Sequence, residues 1–136
     1  MWICVDHSTG LNATLKSNNY PMPVPDDVIS KFNGCKYFSI IDLSDAYLQV
    51  EVDEDLKNLL IINTHRGLFR FNRLAPGVKS APGAFQQLLN TMIADLRGIK
   101  SFLDDLMVFS KPAQEHQEIL IALFQRLQKY IWLHSP

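Results

Sequence analysis

Apolar positions along this chain repeat with two different periods, and the changes of period mark its elements. Phe85, Leu88, Leu89, Met92, Ile93 and Leu96 recur three and four residues apart, which predicts an amphipathic helix over 83–97 that Gly98 ends. The same spacing in Ile119, Leu120, Leu123, Phe124, Leu127 and Ile131 predicts a second helix over 112–132, with Pro112 at its start. Val28, Ile29 and Phe32 share one face of a short helix over 27–32, capped by Asp26 and ended by Gly34. Elsewhere the apolar runs are short and rich in β-branched and aromatic residues. They predict strands over 2–5 and 36–43, a hairpin of 59–63 and 68–74 around a four-residue connection containing Gly67, and a second hairpin around Asp104 and Asp105. The polar stretch 6–20 and the Pro- and Gly-containing stretch 76–82 read as loops, 44–48 as a helical turn, and 49–52 as resumed extended chain. The order is strand, helix, strand, hairpin, helix, hairpin, helix. This predicts an α+β two-layer domain with a mostly antiparallel or mixed sheet and helices packed on one face.

Composition narrows the class. At 136 residues, 47% hydrophobic and 20% charged, the chain is expected to be one domain that needs no disulfide. It has no apolar run long enough for a membrane span and no secretory leader pattern, so an intracellular location, cytoplasmic or nuclear, is expected. Cys4 and Cys35 read as small buried apolar residues. His7, His65, His116 and His134 lack metal-ligand spacing and read as surface or supporting positions. A formal net charge of −1 is unhelpful for binding phosphate backbones. Lys57, His65, Arg66, Arg70, Arg73 and Lys79 either form a local basic surface or are dispersed on solvated faces.

The chemistry concentrates in acidic residues. Asp104 and Asp105 interrupt the apolar run 101–109, and Asp42 closes the run 37–43. An Asp pair in a tight turn explains itself by local backbone bonding. If the two strands are neighbours, however, three carboxylates converge. Two carboxylates about 5 Å apart repel by roughly 3 kcal/mol at an effective dielectric of about 20. A divalent cation removes that cost, and oxygen donors without His or Cys suit Mg²⁺. Two such ions serve phosphoryl transfer by activating an attacking hydroxyl and stabilising a leaving oxygen.

Three segments in order resemble palm motifs of reverse transcriptases, with the nearest likeness to gypsy-type LTR retrotransposon polyproteins. They are Ile40-Ile41-Asp42-Leu43-Ser44-Asp45-Ala46-Tyr47, the stretch from Leu74 through Pro76-Gly77 to Phe85-Gln86, and Phe102-Leu103-Asp104-Asp105. Cys4-Val5-Asp6 with Leu11-Asn12, and Tyr20-Pro21-Met22-Pro23, resemble the family's fingers segment. The resemblance implies a palm-type fold with a partial fingers portion over about 1–35 and a palm over about 36–136, the thumb, connection and RNase H regions being absent. It implies Asp42 and Asp104 as the metal-binding pair, the Leu43 carbonyl as an added ligand, and a less direct part for Asp105. The backbone N–H groups of Asp45 and Ala46 would hold the incoming triphosphate, Tyr47 would act as a steric gate against ribonucleotides, and Pro76 and Gly77 would lie against the nucleotide. The implied cofactors are two Mg²⁺ ions, with Mn²⁺ as a substitute. The implied partners are an RNA or DNA template with its primer, deoxynucleoside triphosphates and the remaining domains of a polyprotein, with no membrane.

Each role has a plainer counterpart. Tyr47 also reads as a core aromatic, and Gln86, which by the resemblance would open the helix running beneath the primer-template, reads just as well as an ordinary solvent-facing residue. Several positions depart from the family pattern: Phe102 replaces Tyr before the Asp pair, Trp2 stands where a triphosphate-gripping Arg is usual, Pro76 stands where relatives carry Gln or Phe, and Ile131 replaces the usual Gly. The principal reading is an RNA-directed DNA polymerase domain. The alternatives are a catalytically inactive retrotransposon-derived remnant or binding module, and another palm-type two-metal enzyme such as a nucleotidyl cyclase.

Overall fold

Strand β1 (Tyr37–Asp42) is built from aromatic and β-branched residues and pairs antiparallel with β5 (Asp105–Ser110). The other side of β5 pairs antiparallel with β4 (Ile99–Phe102), giving a three-stranded sheet of order β1-β5-β4. Exposure alternates along β5: Leu106, Val108 and Ser110 are buried, while Asp105, Met107 and Phe109 on the opposite face are half-buried. Helix α5 (Ala113–Tyr130) packs on β5 and β1. Its Leu123 and Leu127 are buried, and full burial of each such side chain contributes about 1.5–3 kcal/mol. These elements belong to a compact unit made of residues 20–44 and 86–136; a second unit comprises 1–19 and 45–85. In the computed structural model, residues 5, 7, 10–16 and 18–130 are described. The expected strand over 2–5, apart from Val5, therefore lies outside the described residues, as do Cys4, Trp2, His134 and the last residues of the expected helix over 112–132.

Two expectations for the first unit change. Helix α2 (Pro25–Ser30) starts two residues earlier than predicted, because Pro25 takes the first helical position, where its missing N–H is not needed. Asp26 and Asp27 thus lie in the first turn, next to the positive end of the helix dipole, rather than capping it. Val28 is buried but Ile29 is exposed, so the predicted shared face is only partly used. His116, expected at a surface or supporting position, is buried. Its Nδ1 lies 3.1 Å from Ser110 Oγ and its Nε2 2.8 Å from Ser39 Oγ. Ser110 Oγ donates to the Pro112 carbonyl, so it accepts from Nδ1–H, and Nε2 is left to accept from Ser39.

The second unit holds a helical turn α1 (Leu11–Thr14), a 3₁₀ turn (Ala46–Gln49), helix α3 (Glu54–Leu59) and the hairpin β2 (Ile61–Thr64) with β3 (Gly67–Arg70). Its core contains Val52, Leu60, Leu74, Ala75, Val78 and Ala81, with Tyr47, Val50 and Leu56 packed against it. Helix α3 replaces the start of the predicted strand at Leu59, and α1 sits in the predicted loop over 6–20. The N-terminus of α3 has a clear cause: the Asp53 side chain accepts from the Leu56 N–H at 2.8 Å, and Glu54 and Asp55 follow in the first turn. His7, expected at a surface or supporting position, is buried in this unit.

Helix α4 (Ala81–Ile93) starts two residues before its predicted boundary and stops short of Leu96. Beyond it, Gly98 has φ of 73°, and a Cβ there would lie 2.7 Å from the Phe109 carbonyl oxygen, so the chain turns into β4 where only glycine fits.

Candidate active site

The register of β1 on β5 sets Asp42 directly opposite Asp105. One step further on, the Leu43 N–H donates to the Asp104 carbonyl at 3.2 Å, which makes Asp42 and Asp105 a non-hydrogen-bonded pair. Side chains of such a pair leave the same sheet face, with Cα atoms about 4.5 Å apart. Asp42 is exposed and Asp105 half-buried, so both carboxylates keep access to solvent. Asp104 occupies the two-residue turn between β4 and β5 together with Leu103, whose φ of 56° is left-handed and rare for a non-glycine residue. Leu43 is buried beside them.

Among the described residues no group of three or more His, Cys, Asp or Glu side chains is gathered to hold a metal ion. The opposed pair is nonetheless a fitting donor set for Mg²⁺, which commonly takes one or two carboxylates and completes its shell with water and substrate phosphates. The other expected site residues lie in the second unit. Asp45 has φ of 52°, and Ala46, buried, begins the 3₁₀ turn; a left-handed residue leading into a helical turn is the backbone form that points successive N–H groups towards an anion. Tyr47 is half-buried with its ring edge-on to Phe85 at 5.4 Å. Gly77 has φ of 86°, and a Cβ there would meet the Val5 carbonyl at 3.0 Å. Pro76 is half-buried beside it, and the loop is held by Asn12, whose Nδ2 donates to the Gly77 carbonyl at 2.9 Å while its Oδ1 accepts from the Lys79 N–H at 2.8 Å.

Of the basic residues, Lys57 and Arg70 both pair with Glu54, at 2.8 and 3.4 Å, and Arg73 donates to the Gln49 carbonyl. Those pairs hold the Glu54 carboxyl below its ordinary value, chiefly through the Lys57 hydrogen bond. His65, Arg66 and Lys79 are exposed. Gln86 is the clearest departure from expectation. It is 1% exposed, and its Nε2 donates to Ser101 Oγ and Asn90 Oδ1. Neither Ser101 nor Asn90 stood out in the sequence. The available signal was a small polar residue at an inward position of an otherwise apolar strand.

A family profile described as "Reverse transcriptase (RNA-dependent DNA polymerase)" matches residues 4–132. The chain belongs to the reverse transcriptase family. The Caenorhabditis elegans protein K02A2.6 is 43% identical over 129 residues, which are 94% of this chain and 10% of that protein. The retrovirus-related Pol polyprotein from transposon 412 of Drosophila melanogaster is 30% identical over 131 residues, 95% of this chain and 11% of the polyprotein. The chain thus spans about a tenth of the length of these relatives. A foamy viral protease-reverse transcriptase solved in complex with double-stranded DNA shares the fold, with a TM-score of 0.81 at 21% identity over 88% of this chain and 21% of that one. A foamy viral protease-reverse transcriptase solved with an RNA/DNA hybrid matches with a TM-score of 0.80. By homology the family's chemistry is nucleotidyl transfer, and membership implies use of a divalent metal. Among the described residues, no helix is long and apolar enough to cross a membrane.

Proposed function

We propose that this domain carries the polymerising centre of an RNA-directed DNA polymerase of retrotransposon type, adding deoxynucleotides to a primer 3′-hydroxyl on an RNA or DNA template. The observation that carries this reading is the opposed pair Asp42 and Asp105 beside the Leu103–Asp104 turn, where family motifs far apart in sequence meet on one sheet. Asp42, Asp104 and Asp105, with the Leu43 carbonyl, would hold two Mg²⁺ ions, which Mn²⁺ can replace and which supply charge neutralisation and activation of the hydroxyl. The residues of the chain itself contribute position. The β1–β5 register sets the backbones of Asp42 and Asp105 opposite each other, so their carboxylates start close together before any ligand arrives. The N–H groups of Asp45 and Ala46 bind the triphosphate, Gly77 allows backbone approach to the nucleotide next to Pro76, and the Tyr47 ring excludes a 2′-hydroxyl. The Tyr47 ring suits a gate because its packing on Phe85 restricts its movement. The division into fingers over about 1–35 and palm over about 36–136 belongs to the same reading, as do the remaining polyprotein domains as partners.

A second reading, an inactive remnant that folds without polymerising, draws on two features: Trp2 in place of the family's Arg, and the engagement of both Lys57 and Arg70 by Glu54. Primer extension on RNA and DNA templates, comparing the chain with Asp42→Asn, separates the two. Extension abolished by the substitution supports the polymerase, whereas no extension on either template with Mg²⁺ or Mn²⁺ supports the remnant.

A further inference from the structure

The fully buried Gln86 sits where an apolar residue would pack more simply. Burying an amide is unfavourable unless it is bonded, and this one is bonded in a directed way. Its Nε2 donates to Ser101 Oγ at 2.6 Å and to Asn90 Oδ1 at 3.1 Å. Ser101 Oγ in turn donates to Asn90 Oδ1 at 2.6 Å, and Asn90 Nδ2 donates to the Tyr20 hydroxyl at 2.9 Å. Asn90 lies one helical turn after Gln86, so helix α4 presents both amides to the same serine. Among the described residues Gln86 Oε1 has no hydrogen-bond partner, so the side chain is held by its amide nitrogen alone.

Ser101 stands two residues before Leu103, the left-handed member of the turn that carries Asp104. It also pairs across β4 and β5 with Leu106, the neighbour of Asp105. The network therefore holds β4, the strand that leads into the acidic turn, and reaches β5 only through the pairing of the two strands. A left-handed leucine costs of the order of 1–2 kcal/mol and persists only where its surroundings over-determine it. Leu103 is 46% exposed, so its own side chain supplies little of that constraint.

We infer that Gln86 is a positioning residue, which, through Ser101, holds the turn that presents Asp104 and Asp105. The inference rests on the proposed function only for what the turn is held in place to do. The structural part is tested without metal or nucleic acid, by amide hydrogen exchange in Gln86→Met and Ser101→Ala. The reporter is the Leu43 N–H, which is bonded to the Asp104 carbonyl. It is expected to exchange about tenfold faster in each variant, the factor that one buried hydrogen bond is worth, with the core amide of Leu127 unchanged and the double variant no faster than either single. Equal acceleration at Leu43 and Leu127 would mark a general loss of stability and overturn the inference, as would no change at Leu43. Ser101→Ala carries the test if Gln86→Met fails to fold.

The functional part is read from Mn²⁺ affinity by electron paramagnetic resonance. Affinity is expected to fall about tenfold in Gln86→Met, as for residues that support metal ligands, and to stay at the wild-type value in Asp53→Ala, which weakens a helix cap in the other unit. Unchanged affinity in Gln86→Met overturns the inference. A wild-type chain that binds no Mn²⁺ counts against the proposed function instead, and the Leu43 exchange rate then decides the positioning role alone.

Discussion

Asp42 and Asp105 stand opposite each other on one face of the sheet, at the end of β1 and the start of β5. Like charges placed directly across strands are destabilising, by up to about 1 kcal/mol for an exposed pair. Asp105→Asn should therefore stabilise the metal-free protein by about 0.2–1 kcal/mol, measured as the midpoint of urea unfolding. Mg²⁺ or Mn²⁺ should narrow that advantage, because a cation bound between the carboxylates stabilises only the wild type. A metal-free variant less stable than the wild type would argue against the repulsion.

Leu103 and Asp45 are the two non-glycine residues with positive φ among those described, at 56° and 52°. Their chemistry differs: a short polar side chain tolerates the left-handed region by bonding locally, whereas leucine does not. Leu103→Gly is expected to raise stability by about 1 kcal/mol, and Asp45→Gly by clearly less. Comparison of the two unfolding midpoints checks this, and equal gains would remove the distinction. If Leu103 carries strain for positioning, the more stable Leu103→Gly variant should also bind Mn²⁺ more weakly.

What the sequence disclosed follows from which forces are local. The long helices were legible because their apolar spacing is an intrinsic property of α4 and α5, and the β1 and β5 strands because their residues favour a pleated surface. The meeting of Asp42 with Asp105 was legible as a possibility; its register was not, since pairing depends on residues far apart in the chain. Helix α3 escaped because the apolar pattern around Leu59 and Leu60 suits a strand, although Asp53 followed by Glu54 and Asp55 is an ordinary helix start. Gln86 and His116 escaped for a different reason. Polar residues are usually exposed, and only the tertiary structure brings Ser101, Ser39 and Ser110 to meet them.

Tyr47 packs edge-on against Phe85 rather than projecting freely. If it is the gate, Tyr47→Ala should reduce the preference for deoxynucleotides over ribonucleotides by about tenfold or more, read from the ratio of kcat/KM for the two in primer extension. It should also cost about 3 kcal/mol or somewhat less of stability, since a half-buried aromatic is being truncated. Phe85→Leu offers a check on the packing: by loosening the ring it should lower discrimination with Tyr47 still present. An unchanged preference in Tyr47→Ala would leave the ring as a core aromatic only.

Arg126 closes a bidentate pair on Asp95, at 2.7 and 2.8 Å, and donates to the Met92 carbonyl at 2.8 Å, tying α5 to the end of α4. The hydrogen bond from Arg126 holds the Asp95 carboxyl at about 2, below its ordinary value of 3.8. A folded-state value below the unfolded one means that the pair stabilises the protein above about pH 4 and that this contribution is lost as the pH falls towards 2. Arg126→Gln should therefore be less stable than the wild type at neutral pH, with the gap closing as acid protonates Asp95. Because the Asp95 side chain is 66% exposed, added salt should shrink the neutral-pH gap as well. Urea midpoints of both proteins from neutral pH down to about pH 2 test this. A gap that stays constant over that range would mean that Arg126 stabilises only through the Met92 carbonyl and the packing of its stem, not through the Asp95 carboxylate.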